Sequence, residues 1–82
     1  MRFGVVFERI AEPGFPAGYY YAHVPSVGLT THGPGIEGAR RAAVDLLPLW
    51  VAEKRASGEA VATSSETLFE NLEIPEDALQ SA

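Results

Sequence analysis

The stretch Gly28-Leu29-Thr30-Thr31-His32-Gly33-Pro34-Gly35-Ile36-Glu37-Gly38-Ala39 decides how the chain is read, because an extended segment ends in it and the longest helix begins in it. Gly33, Gly35 and Gly38 satisfy G-x-G-x-x-G at the mouth of that helix, the spacing of a dinucleotide-binding turn. Two features argue against a phosphate cradle. Pro34 has no backbone N–H to offer, and the hairpin and tight turn before it imply antiparallel rather than parallel pairing. The glycines are therefore expected to serve geometry, with Gly33 or Gly35 at positive φ and Pro34 or Gly35 opening the helix.

Upstream of this corner, Phe3, Val5 and Phe7 alternate with Arg2, Gly4, Val6 and Glu8, which predicts a strand over about residues 2–10. Two prolines and two glycines in residues 11–18 turn the chain, with Phe15 expected to cover an edge of the core. Tyr19 to Val24 reads as a second strand closed by Pro25, which cannot donate to a ladder. Tyr20, Ala22 and Val24 share one face, placed inside because the small Ala22 leaves room for a helix. Tyr19, Tyr21 and His23 share the other. Ser26, Val27 and Gly28 turn the chain again, and Leu29 to His32 form a short third strand.

Downstream, apolar residues recur at Ile36, Ala39, Ala43, Leu46 or Leu47, and Trp50, a stripe that predicts one helix over about residues 36–56. Pro48 removes a backbone hydrogen bond and crowds the carbonyl of Val44, so a kink is expected near residues 44–47. Gly58 is a natural stop. Leu68, Leu72 and Ile74 fit a fourth strand over about residues 67–74, stopped by Pro75; Thr63-Ser64-Ser65-Glu66 is a capping-box pattern that fits a short helix instead. The strand is preferred because three strands leave much of a six-turn helix uncovered. The expected architecture is α+β, an antiparallel sheet of three to four strands covered on one face by a single long helix, β-β-β-α-β, with one domain over residues 1–74 and a polar tail over 75–82.

The length of 82 residues suits a single small core, and the absence of cysteine removes disulfides, thiol nucleophiles and Cys-ligated zinc. No apolar run is long enough for a signal peptide or a membrane span, so a cytoplasmic protein is expected. Eleven acidic against six basic residues give a net charge of −5, which disfavours phosphate neutralisation on nucleic acid and favours a basic protein partner.

His23 and His32 are the strongest candidates for acid–base or metal chemistry, and pairing of strands two and three brings them near each other. Their spacing demands no metal, and surface histidines are the commoner case, so no cofactor, metal or catalytic residue is assigned. The serines lack a nucleophile-elbow context. Tyr19, Tyr21 and Trp50 read as contact anchors, with His23 and Glu8 beside them as interface candidates; the bland alternative is that the aromatics cover the rim of the sheet. A homodimer or homotetramer is expected of a small domain without staples.

Val5-Val6-Phe7-Glu8, Tyr20-Tyr21-Ala22-His23-Val24-Pro25, Gly28, Gly33 and Glu37-Gly38-Ala39, in that order and spacing over about residues 2–58, resemble the HicB-like antitoxin family. The chain departs from that pattern where the Pro-Gly turn lacks its proline, where Pro34-Gly35 replaces Asp-Thr, and at Pro48. The resemblance implies a truncated ribonuclease H-like domain that masks a small basic HicA-type ribonuclease toxin of a type II toxin–antitoxin system without catalysing a reaction itself. The family's usual C-terminal DNA-binding module has no counterpart in this sequence, so direct DNA binding is not expected. The competing readings are an orphan homo-oligomeric interaction protein and a small metal-binding protein built on the two histidines.

Overall fold

A computed structural model describes residues 1–63 and 66–80, and within them the chain is α+β. Three strands, β1 (Val6–Arg9), β2 (Tyr19–Val24) and β3 (Leu29–Pro34), are followed by one long helix, α1 (Gly35–Ala56). The sheet order is β1-β2-β3 and both pairings are antiparallel.

The bounds follow from backbone donors. β2 ends where expected, at Pro25, which opens a short 3-10 turn over Pro25–Val27 closed by Gly28 at φ +65°. β1 is shorter than the alternation predicts. Val6 pairs with His23, and the partner chain leaves the ladder one residue after Val24, so residues 2–5 have little of β2 left to pair with. At the other end, the Ile10 N–H still donates to the Tyr19 carbonyl at 2.9 Å. β3 runs on to Pro34, opposite Tyr19, so the corner is strand until the residue that begins the helix.

That corner depends on its glycines. Gly35 has φ +69°, a conformation that costs an L side chain strain, and its N–H donates to the Gly18 carbonyl at 2.8 Å. Gly33 is buried against the first turn of α1: a Cβ there would collide with the Gly38 carbonyl and approach the Ala39 nitrogen to 2.7 Å. A Cβ on Gly38 would lie 2.7 Å from Pro34 Cδ. The three glycines of the motif thus turn the chain and bring helix and strand backbones together.

This close approach shapes the core. Ala22, Ala39 and Ala43 form its centre, flanked by Val5, Phe7 and Tyr20. Val24 is fully enclosed. The inward set Tyr20, Ala22 and Val24 is the expected one. On the helix, Ala39, Ala43 and Val51 are buried and Leu46, Leu47 and Trp50 half-buried. Ile36 departs from the stripe and is 42% exposed, because the contact with the sheet begins at Gly38 and Ala39, nearly a turn later.

α1 runs uninterrupted through Pro48. The carbonyl deprived of its donor belongs to Val44, a residue on the exposed side of the helix, where water can replace the lost bond. At the other end the Glu59 N–H donates to the Lys54 carbonyl at 2.9 Å and the Gly58 N–H to the Arg55 carbonyl at 3.0 Å, with Gly58 at φ +76°. This is a Schellman closure at the expected stop.

The fourth strand does not form. Residues 66–74 are neither strand nor helix, and Ser64 and Ser65 of the capping-box pattern lie outside the described residues. The alternation is not sustained: Leu68 and Phe69 are adjacent and apolar, so one register cannot turn both to the same face. The segment nonetheless passes beside the start of the chain, with Thr67 so close to Gly4 that a Cβ there would collide with it. Within the stretch expected as a polar tail, Glu76–Gln80 form a short 3-10 helix, begun after Pro75, whose carbonyl accepts from the Ala78 N–H at 3.1 Å.

Candidate functional site

The outer face of the sheet, opposite α1, gathers the chemically distinctive side chains. Register sets their neighbours: Val6, His23 and Thr30 lie in one row across the sheet, and Glu8, Tyr21 and His32 in the next. Glu8 and His23 are therefore diagonal neighbours on paired strands, within reach of long side chains.

His23 is held from both sides. Its Nε2 lies 2.9 Å from Glu8 Oε1 and its Nδ1 lies 3.0 Å from Thr30 Oγ1. A carboxylate only accepts, so Nε2 is the protonated nitrogen and, in the neutral ring, Nδ1 accepts from the Thr30 hydroxyl. The imidazole is thereby fixed in tautomer and plane.

Tyr21 stacks at 5.4 Å from the His23 ring, and its hydroxyl donates to Glu12 Oε2 at 2.7 Å. That hydrogen bond, aided by slight desolvation and by the charges of Glu12 and Glu8, raises the phenol above its usual 10.0.

Phe15 completes the cluster. Rather than covering a core edge, it folds back over the outer face, where its ring meets His32 edge-on at 5.2 Å, Tyr21 at 5.9 Å and Tyr19 at 6.4 Å. Gly14 at φ +97° and Gly18 at φ +86° flank the return of this loop. Sequence reasoning did not place Phe15, Glu12 or Thr30 on this face; it brought His32 near His23 by strand pairing without counting it among the interface candidates. His32 and Thr30 were accessible from register alone, since they sit opposite Tyr21 and His23; the positions of Phe15 and Glu12 depend on a loop path that no periodicity encodes.

The structure brings together four of the five interface candidates, Glu8, Tyr19, Tyr21 and His23. Trp50 is not among them. It lies on α1, across the sheet, with the Lys54 ammonium 5.4 Å from its ring centre. The two histidines share the outer face, but each is turned to its own partners, His23 to Glu8 and Thr30, His32 to Phe15 and Tyr19. No three His, Asp or Glu side chains among the described residues converge as a metal site would require. Likewise, no described helix is long and apolar enough to cross a membrane.

The outer face offers ordered, half-buried aromatic rings with carboxylates at the rim, the composition of a protein contact surface. Comparison with known proteins adds no relative: no family model, no characterised protein and no solved structure matches the chain.

Proposed function

We propose that the chain is a HicB-like, antitoxin-type binding domain that masks a small basic HicA-type ribonuclease by docking through the outer face of its sheet. The observation that carries this reading is the cluster of Phe15, Tyr19, Tyr21, His23 and His32, preordered by ring contacts and hydrogen bonds and covered by no element among the described residues.

Preordering matters because ring side chains already fixed lose little entropy on binding. Glu8 and Glu12 hold the rim of the cluster and supply negative charge toward a basic partner. The order β-β-β-α matches the first four elements of the β-β-β-α-β order that the resemblance implies, without its final strand among the described residues. The action is occlusion: the domain covers the ribonuclease and performs no chemistry.

The test is inhibition. The purified chain, added to a HicA-type ribonuclease from the same organism, is expected to suppress RNA cleavage stoichiometrically and to co-elute with it. Undiminished cleavage in the presence of excess chain contradicts the reading.

A further inference from the structure

We infer that Thr30 is a base-activated nucleophile that takes up an acyl group from an activated ester or thioester. Its hydroxyl stands at one end of a chain of hydrogen bonds to which each strand contributes one member. Thr30 Oγ1 of β3 lies 3.0 Å from His23 Nδ1 of β2, and His23 Nε2 lies 2.9 Å from Glu8 Oε1 of β1. With Nε2 protonated toward the carboxylate, Nδ1 carries the free lone pair and accepts from the Thr30 hydroxyl. A hydroxyl within reach of a base that a third group orients is the arrangement that activates a weak nucleophile.

The neighbouring hydroxyls are held differently. Tyr21 donates to the Glu12 carboxylate and Ser57 to the Glu53 carbonyl, and near neutral pH neither acceptor retains a proton as an imidazole can. Thr30 is also exposed, so an acyl donor can reach it. The His23 side chain is only 33% exposed, with the Tyr21 ring 5.4 Å away.

The backbone adds a donor for the negative charge that acyl transfer develops. In an antiparallel ladder, residues that exchange hydrogen bonds with the partner strand alternate with residues that do not. The Gly35 N–H donates to the Gly18 carbonyl at 2.8 Å, which puts Gly33 and Thr31 among the exchanging residues and leaves Thr30 and His32 between them. Because β3 is an edge strand, the Thr30 N–H points out of the free edge of the sheet. The residue whose oxygen attacks thus carries an amide that the ladder does not use, available to the oxyanion.

In the step itself, Thr30 Oγ1 attacks the acyl carbon and its proton passes to His23 Nδ1. Glu8 acts as a positioning residue and stabilises the transient imidazolium through the Nε2–H. The bond from the acyl carbon to the leaving oxygen or sulfur then breaks, the leaving group keeps the electron pair, and Nδ1 returns the proton to it or to water. An acyl ester on Thr30 and a neutral imidazole remain. This reactivity is independent of ribonuclease masking, which needs no covalent step.

Incubation of the full chain with 4-nitrophenyl acetate, followed by mass spectrometric mapping of the acetyl group, tests the inference. Thr30 is expected to be acetylated at least ~10-fold faster than Thr31 or Ser57. Thr30→Ser should keep the adduct and Thr30→Val should lose it. His23→Gln should slow labelling of Thr30 at least ~10-fold, and His32→Gln should leave it within about twofold of the parent. Glu8→Ala should slow labelling in proportion to the loss of the Nε2-protonated tautomer, read from the imidazole nitrogen shifts, a dependence that a merely structural role would not produce. Circular dichroism checks that each variant is folded. Acetyl groups confined to amines and His32, or labelling of Thr30 at an unchanged rate in His23→Gln, overturns the inference.

Discussion

Gly33 of β3 and Gly38 of α1 face each other with no room for a Cβ between the two backbones. That contact sets how closely the helix lies on the sheet, and it explains why the centre of the core is Ala22, Ala39 and Ala43 rather than larger residues. The spacing that resembles a nucleotide-binding turn thus follows from backbone packing.

Gly33→Ala is expected to destabilise the fold by about 1–3 kcal/mol, the usual cost of forcing a methyl group into a closed contact. The obstacle is the backbone of Gly38 and Ala39 and not a side chain that can swing away. Urea denaturation of the two proteins measures the difference, and a change below about 0.5 kcal/mol would show that the helix can retreat without cost.

Gly35→Ala and Gly58→Ala probe conformation without collision, since nothing lies within 4 Å of a Cβ at either position. Each should cost about 1 kcal/mol from positive φ alone. At Gly58 the loss should appear as fraying of the last turn of α1, visible as faster amide exchange at Gly58 and Glu59, whose N–H groups close the helix.

These positions also show how much the sequence made legible. β2 was readable to the residue because aromatic alternation and Pro25 agree, and the start of α1 was readable to within one residue because Pro34 and Gly35 are unambiguous punctuation. The length of β1 was not, since pairing depends on where the partner strand stops. The fourth strand failed for a related reason: Leu68, Leu72 and Ile74 resemble a strand, but alternation alone provides no ladder. On the site, strand register made Glu8, Tyr21 and His23 accessible as neighbours. Phe15 and Glu12 arrive by a loop whose path is set by contacts distant in sequence, and Trp50 had the composition of an anchor but sits on the helix side of the molecule.

Tyr21 gives a pH prediction. Its hydroxyl donates to Glu12, so the protonated phenol is favoured in the folded state and its midpoint lies above 10.0. The associated stability is fully present below pH 10 and is lost as pH rises through the raised midpoint. Phenolate absorbance of the folded protein should show one tyrosine titrating late, and Glu12→Gln should move that titration back toward 10.0.

Glu8→Ala tests the posture of His23. Removing the carboxylate leaves Thr30 as the one side-chain hydrogen-bond partner of the imidazole. Both residues are solvent-accessible, so stability should change by less than about 1 kcal/mol. The nitrogen chemical shifts of the imidazole should nonetheless report a mixture of tautomers in place of one protonated Nε2. An unchanged tautomer ratio would mean that Glu8 does not orient the ring.

The most direct measurement of the central claim is calorimetric titration of a HicA-type ribonuclease from the same organism with the parent chain, Tyr21→Ala and Trp50→Ala. If the outer sheet face masks the toxin, the parent binds stoichiometrically, Tyr21→Ala weakens binding about 30-fold, corresponding to about 2 kcal/mol for loss of an aromatic anchor, and Trp50→Ala stays within about threefold of the parent. Absence of binding by the parent, or a Tyr21→Ala chain that binds as tightly as the parent, contradicts the account.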